Sequence, residues 1–213
     1  PFLLYADNEL IFKHGKGFVP QNTNDYLSSY GLGNTYMTIW SIGCPYKCTY
    51  CSNHAMEELA EGQYVRYRSS EDMISEIEYL TRQYPQMKHI YLEIETVGAD
   101  IVKGIDLFEK LAEYNDARKE KLTFRINLAL HSNFVRIEEK YRQFLELCQR
   151  ANETALNVGL ESGSFRVRRE ILRRPRYTNE ELIGFCRTAR EYGVATSLLT
   201  LMGVPGETFE EAK

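Results

Sequence analysis

A chain of 213 residues, 43% hydrophobic and 26% charged, can bury one substantial core as a single globular domain. Its formal net charge of −4 argues against a surface built mainly to grip a polyanion, so nucleic acid is not an expected partner. No apolar run approaches the roughly 20 residues that span a bilayer, and the N-terminus lacks the basic-then-apolar layout of a signal peptide. A cytoplasmic protein without a membrane partner is expected.

Residues 1–34 are rich in Gly, Asn and Tyr with only short apolar runs, and read as a linker or irregular lead-in from an upstream domain outside this sequence. Residues 35–213 read as the regular domain. A strand at 36–41 leads into a Cys-rich loop. A helix follows at 70–84, where Met73, Ile77 and Leu80 recur at helical spacing and Ser69 and Ser70 are candidate caps. Then come a strand at 89–95, a helix at 105–114, a strand at 122–130, a helix at 137–150 and a strand at 155–160. A helix broken near Pro175, a helix at 179–192, a strand at 194–201 and the first turn of another helix after Gly206 complete the pattern. Five strands alternating with helices imply right-handed crossovers and a parallel sheet. The chain starts at Pro1 and stops at Lys213 inside that last turn, so an excerpt of a longer protein, incomplete at its C-terminus, is expected.

In a parallel α/β sheet or barrel, chemistry gathers at the carboxyl ends of the strands. Here those ends are polar or Gly-rich: Gly43-Cys44, Glu95-Thr96, His131-Ser132-Asn133, Glu161-Ser162-Gly163-Ser164 and Gly203-Val204-Pro205-Gly206-Glu207. Three of the five cysteines, Cys44, Cys48 and Cys51, fall in the first of these loops. That spread does not suit the paired half-cystines of a secreted domain; a reduced compartment and a metal site suit it better. Three thiolates can bind three irons of a cubane. Ordinary electron-transfer clusters use four cysteines, but Cys148 and Cys186 sit on apolar helical faces beside Leu145 and Phe185 and read as small buried hydrophobes. One iron is left without a protein thiolate, open to a substrate. A tetrahedral zinc site of Cys44, Cys48, Cys51 and His54 is the alternative, in a cluster- or zinc-binding module without catalysis.

The segment Cys44-Pro-Tyr-Lys-Cys48-Thr-Tyr-Cys51, with Tyr50 directly before the last cysteine, resembles the signature of the radical S-adenosylmethionine (SAM) superfamily. The resemblance implies an α/β fold, a partial (β/α)6 TIM-like barrel cut short here after the fifth strand. It also implies a [4Fe-4S] cluster on Cys44, Cys48 and Cys51, with the amino and carboxylate groups of SAM on the open iron. One-electron reduction, from a donor such as flavodoxin or ferredoxin, then cleaves SAM to methionine and a 5′-deoxyadenosyl radical that attacks an unknown substrate. Tyr50 would lie near the adenine, with Lys47 at a variable position.

Later motifs extend the resemblance from about residue 36 to the end. Glu95 matches the acidic position that accepts a hydrogen bond from the SAM ammonium, with Glu93 as its rival. Asn157-Val-Gly-Leu-Glu161-Ser-Gly-Ser164 is similar to the fourth-strand motif of cobalamin-associated members, which implies Glu161 and Ser162 as contacts to SAM's ribose and carboxylate. Ser164 is equally a helix N-cap. Arg173 and Arg174 fall where relatives carry an Arg that can pair with SAM's carboxylate, or else form a solvated basic face. Leu201-Met-Gly-Val-Pro-Gly-Glu207-Thr resembles the fifth-strand ending, which implies adenine contacts at Met202, Gly203 and Leu199 and a helix cap at Thr208. The stretch 66–72 reads as a capped helix start. His131 and Asn133 are candidates to touch substrate or SAM, with structural hydrogen bonding as the alternative. No Asp-x-His-x-x-Gly cobalamin motif occurs, so a cobalamin domain, serving methyl transfer or cyclisation, would lie in sequence upstream of this one.

Overall fold

The computed structural model describes residues 11–14, 17–20, 34–93, 97–131 and 134–212. Its main feature is a sheet of five parallel strands: β3 (Thr35–Ile39), β6 (His89–Glu93), β7 (Thr123–Leu128), β8 (Glu153–Glu161) and β9 (Ala195–Thr200). They lie side by side in chain order. A sheet whose order never reverses puts every right-handed crossover on the same face, as in a barrel and unlike a doubly wound sheet. The crossover helices are α2 (Ser70–Gln83), α3 (Ile101–Asp116), α4 (Glu138–Arg150) and α5 (Asn179–Glu191). The α/β, partial-barrel architecture expected from the sequence is present.

The two faces of the sheet differ chemically. Ile90 and Leu92, Phe124, Ile126 and Leu128, and Leu156 and Val158 alternate onto the helix-covered face and are buried. There they meet Ile77, Leu107, Phe108, Leu111, Phe144, Leu145 and Phe185 in one continuous core. Phe108 and Phe144 pack edge to face at 5.0 Å, joining α3 to α4. The opposite face carries Tyr91, Asn127 and Asn157 instead. Tyr91 donates to Asn127 Oδ1 at 2.8 Å, and Asn157 donates to the same oxygen at 3.2 Å. A polar inner wall belongs to a barrel that admits a polar ligand, not to one filled by layers of branched apolar side chains.

Helix ends follow the sequence signals where a local cap exists. Ser69 accepts from the Asp72 amide to start α2, and Thr178 and Glu181 form a reciprocal capping box at α5. Helix α3 begins four residues before the expected Ile105, because Asp100 caps it and Gly104 is packed within 2.6 Å, in Cβ terms, of Val97. Elsewhere the expected elements change. The first helical turn expected after Gly206 is an irregular turn, in which Thr208 and Glu211 each bond the other's amide. The helix broken near Pro175 is a short wide turn at Val167–Ile171, closed by a bond from the Leu172 amide to the Val167 carbonyl. In the expected lead-in, β1 (Ile11–His14) and β2 (Gly17–Pro20) pair as an antiparallel hairpin. A small antiparallel pair, β4 (Ser41–Ile42) with β5 (Arg66–Tyr67), and a short helix, α1 (Asn53–Leu59), flank the cysteine loop. No described helix is long and apolar enough to cross a membrane.

Glu153 enters β8 at the end of the sheet opposite the cysteine loop, only 5% exposed. Burial raises its pKa to about 8, against the opposing pull of the Ala155 amide and Arg125. The folded state therefore holds a proton that the unfolded chain releases near 4.5. Stability is greatest below that value and declines as pH rises toward 8, by at most about 1.4 kcal/mol per pH unit for one proton. Urea unfolding of Glu153→Gln across this range should show a flatter pH dependence than wild type and a more stable protein at pH 8.

Candidate functional site

Parallel strands deliver their carboxyl ends to one rim, so the loops after β3/β4, β8 and β9 can meet there. The chain turns into the cysteine loop at Gly43, with φ 86° and no room for a Cβ, which would lie 2.7 Å from the Tyr64 carbonyl oxygen. Cys44 and Cys51 are half-buried and Cys48 is buried; none of the three is in a disulfide. The Cys51 amide donates to the Cys48 carbonyl at 3.1 Å, and the Asn53 amide approaches the Cys51 sulfur at 3.5 Å. The loop is thereby curled on itself.

Its far side is fastened to a segment about 120 residues away in sequence. The Thr49 amide donates to the Leu172 carbonyl at 3.0 Å, and its hydroxyl to the Ile171 carbonyl at 2.7 Å. The wide turn at Val167–Ile171 leaves these carbonyls free of a helical partner. Arg174 completes the seam. Its guanidinium donates to the Gly159 carbonyl at 2.6 Å and to the Tyr50 hydroxyl at 3.1 Å, and lies 3.6 Å from the Glu161 carboxylate. Burial raises the Cys48 thiol pKa, and Arg174 opposes that shift by favouring the thiolate. Burial also pushes the neighbouring Tyr46 up to about 12.

The end of β8 is held in an unusual backbone state. Glu161 is buried with φ 65°, a left-handed conformation costly for a residue with a side chain. Arg168, 1% exposed, secures the following loop by donating to the Ser162 carbonyl at 2.7 Å and to Asn179 Oδ1 at 2.7 Å. Glu207 joins this loop to the one after β9: its carboxylate accepts from Ser162 Oγ at 3.0 Å and from the Val204 amide at 3.4 Å. Met202 is 90% exposed, Leu199 is exposed at the end of β9, and Gly203 sits beside Met202 on the same rim.

Of the residues expected at the site, Cys44, Cys48, Cys51 and Tyr50 share one loop, and Arg174 links that loop to Glu161. Ser162 links onward to the β9 loop that carries Met202 and Gly203. The Arg174 side chain is only 9% exposed, so the solvated basic face is not what forms there; Arg173 is exposed, with φ 51°. Glu93 closes β6, half-buried, whereas Glu95, Ser132 and Asn133 lie outside the described residues. The His131 amide donates to the Tyr141 hydroxyl at 3.1 Å. Cys148 is buried in the core on α4, and Cys186 packs against that core from α5. Sequence reasoning missed Glu207 as a clamp and Thr49 as a fastener, because both act through partners distant in sequence; the only local trace is that Glu207 directly follows the Gly-Val-Pro-Gly turn.

Three cysteines on one loop, none in a disulfide, fit a cluster that takes three thiolates and leaves one iron open. Among the described residues, no three Cys, His, Asp or Glu side chains are drawn together around a single ion. The Glu207 clamp makes a separate prediction. Its bonds contribute about 1 kcal/mol or more each as hydrogen bonds to a charged group, so in Glu207→Ala the Val204 amide should exchange with solvent roughly tenfold faster than in wild type.

Comparison with known proteins places this geometry in a family. No curated protein matches the chain. Among solved structures, it is similar to a radical S-adenosylmethionine methyltransferase, TsrM, from Kitasatospora setae, solved with cobalamin and a [4Fe-4S] cluster bound. That match has a TM-score of 0.69 at 21% identity and covers 98% of this chain and 38% of that one. It is also similar to the cobalamin-dependent S-adenosylmethionine radical enzyme OxsB with aqua-cobalamin bound, with a TM-score of 0.64 at 22% identity, covering 86% of this chain and 26% of that one. The chain thus spans well under half the length of either. The model of the radical SAM superfamily matches residues 38–213, most of the sequence, and the chain belongs to that superfamily.

Proposed function

We propose that the protein is a radical SAM enzyme whose Cys44, Cys48 and Cys51 hold a [4Fe-4S] cluster and whose rim binds SAM. The observation that supports this most directly is the curled loop of three cysteines outside any disulfide, fastened at Thr49 to the β8 crossover, with both other cysteines held on helices α4 and α5. When bound, the cluster would supply the electron that cleaves SAM to methionine and a 5′-deoxyadenosyl radical.

The chain's own groups divide the remaining work. Cys44, Cys48 and Cys51 bind as thiolates, and Arg174 favours that state at Cys48. Tyr50, 44% exposed and oriented by Arg174, offers a flat face beside the loop for the adenine. Glu161 and Ser162 provide acceptor and donor groups for the ribose and the amino-acid part of SAM, held in place by Arg168 and Glu207. Met202 and the Gly203 backbone form an open edge against the adenine. Glu95, or Glu93, takes the SAM ammonium. The polar inner wall of Tyr91, Asn127 and Asn157 gives the substrate a surface that can hydrogen-bond.

The neighbours TsrM and OxsB bind cobalamin, and the likeness favours a cobalamin-linked reaction, methyl transfer or cyclisation, with the cobalamin held by a domain outside residues 35–213. A flavodoxin or ferredoxin would serve as electron donor. The test is anaerobic turnover of reconstituted protein with dithionite and SAM. 5′-Deoxyadenosine, or S-adenosylhomocysteine if SAM serves as a methyl donor, should form with wild type. It should fall at least a hundredfold in each of Cys44→Ala, Cys48→Ala and Cys51→Ala, on the order of the loss of one essential group. A colourless protein carrying one zinc per chain would refute the assignment.

A further inference from the structure

We propose that Arg174 tunes the cluster electrostatically: by bridging Tyr50 on the cysteine loop to Gly159 and Glu161 on β8, it raises the cluster's reduction potential. This rests on the cluster assignment above and goes beyond it, because it gives a role to a cation that touches the loop before any SAM is present.

The guanidinium side chain is only 9% exposed, so solvent screens its charge poorly. Its backbone is set by the turn around it. The Arg174 amide donates to the Arg168 carbonyl at 2.9 Å, and a buried Pro175 follows. Space for its head exists because position 159 is glycine: a Cβ there would lie 2.5 Å from Arg174 Nη2 and 2.6 Å from Glu161 Oε1. The Gly159 carbonyl it bonds also accepts from the Tyr177 hydroxyl at 2.6 Å, which fixes the acceptor. The cation is therefore built in.

Reducing a cubane adds negative charge to the cluster and its thiolates. A poorly screened positive charge bonded to the cysteine loop stabilises that reduced state and raises the potential. Glu161, on the same guanidinium, acts in the opposite sense. The two residues form an opposed pair, so removing either one should move the potential in a direction that a merely structural role would not produce.

The experiment is an anaerobic redox titration of the reconstituted protein, followed by electron paramagnetic resonance in the absence of SAM, with iron and sulfide counted per chain. Arg174→Met at full iron content should hold about tenfold less reduced cluster at a fixed potential, which for one electron is a midpoint about 59 mV more negative. Arg174→Lys should fall between it and wild type, and Glu161→Gln should shift to a more positive midpoint. If Arg174→Met fails to load iron, the Lys and Gln variants decide by the same signs. Wild-type midpoints in the loaded variants would overturn the proposal and confine Arg174 to contacts with SAM. A wild-type protein that loads no iron would instead overturn the cluster assignment itself.

Discussion

Thr49 bonded to the carbonyls of Ile171 and Leu172 is the contact on which the site depends. Strands β3 and β8 are not neighbours; β6 and β7 lie between them. A loop leaving β3 can reach the crossover after β8 only if the sheet curls far enough to bring the two across the mouth. The two hydrogen bonds therefore report the curvature of the whole sheet and at the same time hold the cysteine loop at its rim. Each is worth about 1 kcal/mol net, but together with Arg174 they place residues from three segments of the chain around one space.

The rest of the fold serves this closure. Packing drives the outer face of the sheet, where alternating Ile, Leu, Phe and Val residues meet the helices, and this supplies nearly all the apolar burial. The inner face is then free to be polar. Its Tyr91, Asn127 and Asn157 network satisfies its own groups without filling the interior. Strain is concentrated at the rim: Glu161 and Arg173 both adopt left-handed backbone, flanking the turn that presents Arg174. Arg168 holds the chain between them through two backbone carbonyls and Asn179.

Much of this was legible in the sequence wherever the cause is local. The two-residue period of the strands, the cap at Ser69, and the spacing of Cys44, Cys48 and Cys51 each depend on neighbouring residues, and each was readable; the Thr178 cap is equally local but was missed. Glu161 was singled out from its motif, although its left-handed backbone was not foreseen. The start of a helix was expected after Gly206 with Thr208 as its cap, from the likeness of the fifth-strand ending, and the capping bonds do form there. What was not legible depends on long-range contact. Arg174 reads equally well as a solvated cation until the fold buries it against Gly159, and Glu207 reads as part of a turn until Ser162 meets it. The β4 and β5 pair, two residues each, is too short to leave a periodic signal.

The central claim is that three cysteines hold a cluster with one iron left to a small molecule. Mössbauer spectra of the iron-reconstituted protein, with and without SAM, test it most directly. The account predicts a [4Fe-4S] cluster in which one iron site differs from the rest and changes on adding SAM. A cluster whose iron sites are all unaffected by SAM, or a protein that takes up zinc in place of iron, would contradict it.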